Sequence, residues 1–322
     1  MGKISDSHAE LMHYTSAAGL DGILASRSIR ATGTRYLNDD EEIVGFYNRI
    51  LPKIVRPIFE NYILSVEDEP QFQRQLLGQT KEVMINQAFD GFIDTLRKVT
   101  ADFHDHFVTC FSTTKDPHIL NDGLLSQWRG YGSDGGYAII FDSAGLDRIM
   151  DQETLNFDKD TYSWADIQYE LGANGRTGDS DVNEWIEKLE SAAKIYLETK
   201  QSDDLLRPLS VLSSFFKHRG FSEEKEVRFI IQMLSTGLVA VDGEMLVSDH
   251  VVKTFIRNGT TVPYVETCIA QKIGPRLHLP IRKVIVGPHR EKMERKRAVE
   301  LLFKQYGLNA EVGVSDIPFR GR

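Results

Sequence analysis

The stretch that most constrains this 322-residue chain is Ser222-Glu223-Glu224-Lys225-Glu226-Val227-Arg228-Phe229-Ile230-Ile231, where a row of charges runs straight into an apolar segment. Its β-branched and aromatic residues, free of Gly and Pro, predict a strand over 226–232. Strand side chains alternate between faces, so Lys225, Val227, Phe229 and Ile231 share one and Glu224, Glu226 and Arg228 the other. Two carboxylates and a guanidinium entering a strand must be paired, bound to a ligand or solvated in a cleft, because an isolated buried charge is costly. Two readings stand: an ion-pair row that neutralises itself, or a catalytic carboxylate at a strand end.

The neighbouring segments place this strand in an α+β context. Glu10 to Ser16 reads as a strand, and Thr15 or Ser16 can cap the helix Ala17 to Ser26, whose Leu20, Ile23 and Leu24 recur at helical spacing. Ile29 to Leu37 reads as extended. Residues 41–105 read as mostly helical, broken by Pro52, Pro57 and Pro70, and 182–217 as a second helical region interrupted by Pro208. Further strands are expected at 107–112, 137–141, 251–256, 262–270, 283–286 and 310–314, with an amphipathic helix at 291–306. Strands outnumber βαβ alternations, which points to a mostly antiparallel or mixed sheet. The chain reads as one domain, 1–322, with helical insertions at about 41–105 and 182–217.

Composition narrows the function classes. No apolar run reaches the ~20 residues of a membrane span, and the polar N-terminus lacks a signal-peptide apolar segment, so a cytoplasmic protein is expected. Cys110 and Cys268 sit in strand-like runs and read as buried free thiols. A net charge of −9 argues against a general grip on nucleic acid, leaving a local basic face as the candidate: Arg276, Arg282, Lys283, His289, Arg290, Lys292, Arg295, Lys296 and Arg297.

Several segments offer chemistry. His13 closes the first strand just before a helix start, a place suited to an anionic or diphosphate ligand, or else bonds the backbone. His104-Asp105-His106 lacks the further ligands a metal site needs, and no metal is expected. The glycines of 130–136 lack the phosphate-loop ending and read as a hairpin turn. Beside them, Trp128, Arg129 and Tyr131 suit either stacking on a planar heterocycle or packing under a loop.

Together, Leu11-Met12-His13-Tyr14-Thr15-Ser16, Tyr36-Leu37-Asn38-Asp39-Asp40-Glu41-Glu42, Ser126-Gln127-Trp128-Arg129-Gly130-Tyr131-Gly132, Lys217-His218-Arg219-Gly220-Phe221 and Glu224-Lys225-Glu226-Val227-Arg228 resemble a bacterial domain family placed in the ADP-ribosyltransferase superfamily. Val286-Gly287-Pro288 and Ser315-Asp316-Ile317-Pro318 are similar too, and some members are AbiGi-like or toxin–antitoxin effectors of phage defence. The resemblance implies split antiparallel sheets around an NAD cleft and transfer of ADP-ribose to a macromolecule, RNA, DNA or protein, with an antitoxin as a further partner. It implies Glu226 and Glu224 as catalytic residues, and His13, Tyr14, Thr15, Ser112, Trp128, Arg129 and Tyr131 as NAD-binding residues. The middle-strand position is open between Ser112 (of Ser112-Thr113-Thr114), Tyr131 and Tyr137. Alternatives are a glycohydrolase or NAD-dependent phosphotransferase on the same fold, and a non-catalytic nucleotide-binding or protein-interaction module.

Overall fold

The structure, a computed structural model, describes residues 3–37, 42–70, 80–131, 135–153, 162–234, 238–241, 244–247, 251–257, 259–267 and 279–318. It is an α+β chain with a mixed sheet. The strands are β1 (Glu10–Thr15), β2 (Ile29–Gly33), β3 (His104–Ser112), β4 (Tyr137–Asp142), β5 (Tyr162–Asp166), β6 (Glu226–Leu234), β7 (Leu238–Val241), β8 (Glu244–Val247), β9 (Lys253–Arg257), β10 (Thr260–Thr267), β11 (Ile281–Val286) and β12 (Glu311–Val314). Among them β7 and β8 form a separate hairpin, and β11 with β12 is the parallel pair of the large sheet.

The large sheet forks at β3. One edge of β3 pairs with β6 along its length, His104 opposite Leu234 through Ser112 opposite Glu226. The other edge is shared end to end: Met12 of β1 pairs with Ser112, while Thr32 and Gly33 of β2 pair with Val108 and Phe107. The β12-β11-β4-β1 half therefore joins the β6–β3–β2 half through the Met12–Ser112 pair. Backbone groups at such a divergence need other partners, which makes the fork a natural place for polar side chains.

Packing follows the alternation of the strands. Leu11, Phe111, Ile139, Phe141, Val227, Phe229, Ile231, Val284 and Val286 face one common core with Leu20, Ile23 and Leu24 of the Ala17–Ser26 helix and Val299 and Phe303 of the Lys292–Tyr306 helix. On the opposite face there are two clusters. A small one gathers Met12, Tyr14, Ala138, Ile140 and Ile285 around Trp128. A large one stacks the helices Leu51–Val66, Lys81–Phe103, Ser180–Thr199 and Asp203–Ser213 against Val108, Ala165 and Ile230, so the two helical stretches of the sequence form a single layer. Between these two clusters runs a polar seam.

Some elements differ from the sequence reading. Trp128, Arg129 and Tyr131, read as lying beside the 130–136 glycine turn, sit in a helix (Leu125–Tyr131), because Leu124 and Trp128 give one turn an apolar side against the small cluster; residues 132–134 of that turn lie outside the described residues. β3 begins at His104 rather than 107. Pro208 lies inside the Asp203–Ser213 helix, and the break falls at Lys200, a left-handed residue with φ 64°. β5, the β7–β8 hairpin and the Ser143–Glu153 helix were not expected; β5 is short, and its Ser163 and Asp166 break the apolar pattern a strand signal needs. Cys110 is partly buried and forms no disulfide among the described residues, and Cys268 lies outside them. No helix among the described residues is long and apolar enough to cross a membrane.

Candidate functional site

A cleft at the fork is lined by Met12, His13, Tyr14, Cys110, Phe111, Ser112, Gln127, Glu224 and Glu226. It thus gathers five of the residues singled out from the sequence from three distant parts of the chain. Register explains the meeting: Met12, Ser112 and Glu226 stand directly opposite one another on adjacent strands, with Cys110 opposite Arg228 on the same face. Glu224 arrives differently. It ends a 3-10 turn, Arg219–Glu224, and Lys225 at φ 43° swings the chain so that Glu226 opens β6. The expected alternation thus holds from Glu226 onward but does not extend back to Glu224 and Lys225.

The charges form one closed network. Lys217 Nζ donates to Glu224 Oε2 and Glu226 Oε2, each at 2.8 Å, and Arg228 Nε donates to Glu226 Oε1 at 2.6 Å. Arg228 also reaches the Ser214 carbonyl at 3.2 Å, and the Tyr169 hydroxyl accepts from the Glu226 backbone N–H at 3.1 Å. Glu226 is 4% exposed and Arg228 1%. Burial alone would raise the Glu226 carboxyl, but Arg228 and then Lys217 outweigh it and hold it at about 2, well below its ordinary 4.5. Lys217, pulled down by burial, is raised further by Glu226 and Glu224. The two acids and two bases sum to zero charge.

His13 lies across the fork with Nδ1 2.9 Å from the Cys110 carbonyl oxygen and its ring tilted on Phe111. A carbonyl only accepts, so Nδ1 carries the proton. Burial lowers the His13 pKa below 6.5, only partly countered by that bond, so at neutral pH the ring is uncharged with its lone pair at Nε2. The hydroxyl of Thr113, just past the end of β3, meets His8 Nδ1 at 3.1 Å; His8 Nε2 is 2.7 Å from Asp166.

The other proposed ligand contacts do not gather here. Trp128 is 1% exposed, set edge-on to Tyr14, and its indole N–H donates to the Asp122 carbonyl at 2.9 Å; its ring is a core element and offers no free face. Tyr14 lines the cleft, but its hydroxyl is committed to the Leu124 N–H at 2.7 Å. Thr15 lies outside the lining, its hydroxyl over Gly19. Arg129 is exposed and does not line the cleft, which corrects its expected place beside a diphosphate there. Tyr131 closes its helix, and its side chain lies outside the described residues. Tyr137 is buried in the main core. Of the three middle-strand candidates, Ser112 is the one that the described structure brings to the cleft.

Gln127 is the residue the sequence reading passed over. It is 5% exposed and lines the cleft. Its signal was position: it precedes Trp128 in a helix whose other side is core.

The cleft encloses about 40 Å³, room for a few waters or one small polar group and far below the roughly 300–1,000 Å³ of sites that envelop a whole ligand. A ligand the size of NAD does not fit within it as a whole. A larger cavity of about 680 Å³ lies between β5 and the Ser180–Thr199 helix, but its charges are largely committed to structure. Asp147 accepts the Ile4 and Ser5 N–H groups, Asp179 caps its helix, and Glu184 pairs with Lys188.

Part of the basic face is paired. Arg282 meets Glu10 and Asp142, Lys283 meets Glu311, Lys292 meets Asp316 and Arg297 meets Glu300, while Arg276 lies outside the described residues. His106 is buried against Ser210, and among the described residues no group of three or more His, Cys, Asp or Glu is placed to hold a metal ion.

A family model described as a protein of unknown function (DUF2971) matches residues 127–229. No curated protein and no solved structure matches the chain. The matched stretch holds Gln127, Glu224, Glu226 and Arg228 but stops short of His13 and Ser112, which the fold brings to them.

Proposed function

We propose that the protein transfers ADP-ribose from NAD to a macromolecular acceptor. The observation that supports this reading is the meeting of His13, Ser112, Glu224 and Glu226 in one cleft at the fork of the sheet. Carboxylates, a hydroxyl and a neutral imidazole form a set suited to ribose hydroxyls and to a sugar carbon that becomes positive as nicotinamide leaves. Glu226, ionised throughout the physiological range, accepts a hydrogen bond from a ribose hydroxyl; its two cations soften its field, so it holds the sugar more than it acts as a bare charge. Glu224 has one oxygen on Lys217 and a less buried side chain, which supports its second oxygen as the base that takes the proton of the incoming acceptor group. The carbon–nitrogen bond to nicotinamide breaks, its electron pair leaves with the ring, and the acceptor bonds the ribose carbon. His13 Nε2 accepts from a further hydroxyl.

Incubating the protein and its Glu226→Gln variant with labelled NAD and bacterial lysate tests this. Label on a macromolecule, lost about 10²-fold or more in the variant, is the expected result. No label and no NAD consumption overturns it, and NAD consumption without label makes the protein a glycohydrolase.

The closed, neutral network favours a second reading, a non-catalytic binding module in which Glu226 is an internal tie. Under that reading Glu226→Gln alters stability alone.

A further inference from the structure

The larger cavity, about 680 Å³, borders β5 and shares no lining residue with the fork cleft. Among the described residues β5 pairs with β6 alone, which leaves its other edge open. The Ile167 N–H donates to the Glu226 carbonyl at 2.9 Å, so along this antiparallel pair Ala165 and Ser163 also turn their backbone groups toward β6. Trp164, between them, turns its N–H and C=O outward. Asp166 is the next outward residue, and its carbonyl already accepts from Gln168 Nε2 at 2.9 Å. The open stretch is therefore short and carries Trp164.

The wall beside it holds two further polar groups. Ser163 Oγ and Trp164 Nε1 are buried and have no hydrogen-bond partner among the described residues, and both residues line the cavity. A buried donor in that state costs about 1–3 kcal/mol, which a carbonyl brought alongside would recover.

Charge narrows what can bring it. Carboxylates outnumber cations in the lining, five to three. Lys188 pairs with Glu184 and Lys3 with Asp151. Asp147 and Asp179 accept from backbone N–H groups, which are neutral and leave their charge in place, and Asp181 adds a third acid against Arg207. The cavity is thus net negative, and its walls include the rings of Tyr162, Trp185 and Phe215. Lys188 Nζ already lies 4.3 Å from the centre of the Trp185 ring, as a cation on an aromatic wall does. A phosphate or an acidic peptide would be repelled here, and a flat apolar compound would leave the open edge unmatched.

We propose that this cavity docks a short extended segment of a basic protein. One residue of the segment pairs through its N–H and C=O with Trp164, as an added strand does, and its carbonyls accept from Ser163 and the Trp164 indole. A neighbouring arginine or lysine runs its aliphatic stem between the rings and its charge toward the acids. The proposal does not rest on ADP-ribosyl transfer; joined to that reading, it names a basic protein as the acceptor class.

The test is fluorescence anisotropy of a labelled five-residue peptide alternating arginine and valine, titrated with the full chain. The controls are a peptide with glutamate in place of arginine and an arginine peptide N-methylated along its backbone. The arginine peptide should bind about tenfold or more tightly than the glutamate one, and N-methylation, which keeps every charge but removes the N–H groups, should weaken it by a similar factor. Ser163→Ala, checked for folding by circular dichroism, should weaken the arginine peptide several-fold. Asp181→Lys, an exposed position, should weaken it too while not weakening the glutamate peptide. No binding at millimolar concentration, or equal binding of the arginine and glutamate peptides, overturns the proposal. Binding indifferent to N-methylation is an effect of overall charge alone, and binding unchanged in both variants lies elsewhere on the surface; either result also overturns it. Neither NAD nor Glu226 enters the measurement, so this docking site and the transfer reading fail separately.

Discussion

Glu226 is the residue on which structure and chemistry compete. Both of its oxygens are tied to cations, so replacing it by Gln leaves Lys217 and Arg228 buried with less compensation. Removing one partner of a buried pair costs about 3–5 kcal/mol, and Glu226→Gln is expected to lower stability by that order, not to be silent as a surface strand residue would be. Glu224→Gln, on a less buried group with one ion pair, should cost nearer ~1 kcal/mol. Denaturant unfolding of the two variants measures this; equal, small effects would show that the network contributes little.

The same residue predicts an acid response. Its folded carboxyl titrates at about 2 and its unfolded one near 4.5, so the stability it supplies is complete above pH 4.5 and lost as pH falls toward 2. His13 adds an earlier slope of the same sign. Burial keeps it neutral, while the unfolded chain takes up a proton below 6.5, so stability declines as pH drops through that value. Urea midpoints between pH 7 and 3 should fall in two stages for the wild type. The upper stage should be absent in His13→Gln and the lower one flattened in Glu226→Gln.

At the scale of elements, the Leu125–Tyr131 helix and the turn after β11 hold the cleft's outer wall. Trp128 packs on Tyr14, and a Cβ at Gly287 would overlap the carbonyl oxygen of Gly135 and crowd the Trp128 ring. The Gly287 N–H donates to the Gly136 carbonyl at 3.0 Å, and Gly135 and Gly136 take φ of 94° and 60°, which L side chains rarely adopt. The motif Val286-Gly287-Pro288 is therefore a close approach of two backbones. Gly287→Ala should destabilise by about 2 kcal/mol or more and Trp128→Ala by about 3–5 kcal/mol. Thermal unfolding checks both; a Trp128→Ala protein that keeps its melting temperature would mean the ring is not the core element it appears in this packing.

Across the whole molecule, charge bears on the acceptor. The net charge is −9, and four of the cations that would offset it, Arg282, Lys283, Lys292 and Arg297, are engaged with carboxylates. We therefore expect no retention of duplex DNA or RNA in a gel-shift assay at about 0.15 M salt, and protease, not nuclease, to release the label from a modified lysate. Tight binding that weakens steeply with salt would instead return the nucleic-acid acceptor.

Much of this architecture was legible in local residue order. Ser16 before the Ala17–Ser26 helix, the run Val227 to Ile231 and the 291–306 periodicity each follow from short-range sterics and burial, and the elements lie where those rules put them, within a few residues. The charged row Glu224–Arg228 also announced itself, because charge entering a strand demands a partner. One partner, Arg228, was legible there; Lys217, which reaches Glu226 through a turn, was not, nor was Cys110, which meets Arg228 through strand register. Trp128 suited either stacking on a ligand or packing under a loop, and it is core, a choice sequence could not make because burial depends on what packs above it. Gln127 was invisible for the same reason. Sequence by itself determined which segments are strands and helices and that Glu226 needs compensation, because those depend on neighbours a few bonds away. Only the tertiary structure decided that β1, β3 and β6 meet at a fork, through pairs a hundred or more positions apart, that Lys217 turns back to complete the compensation of Glu226, and that a small neutral cleft lined by Gln127 remains, because none of these follows from the order of neighbouring residues.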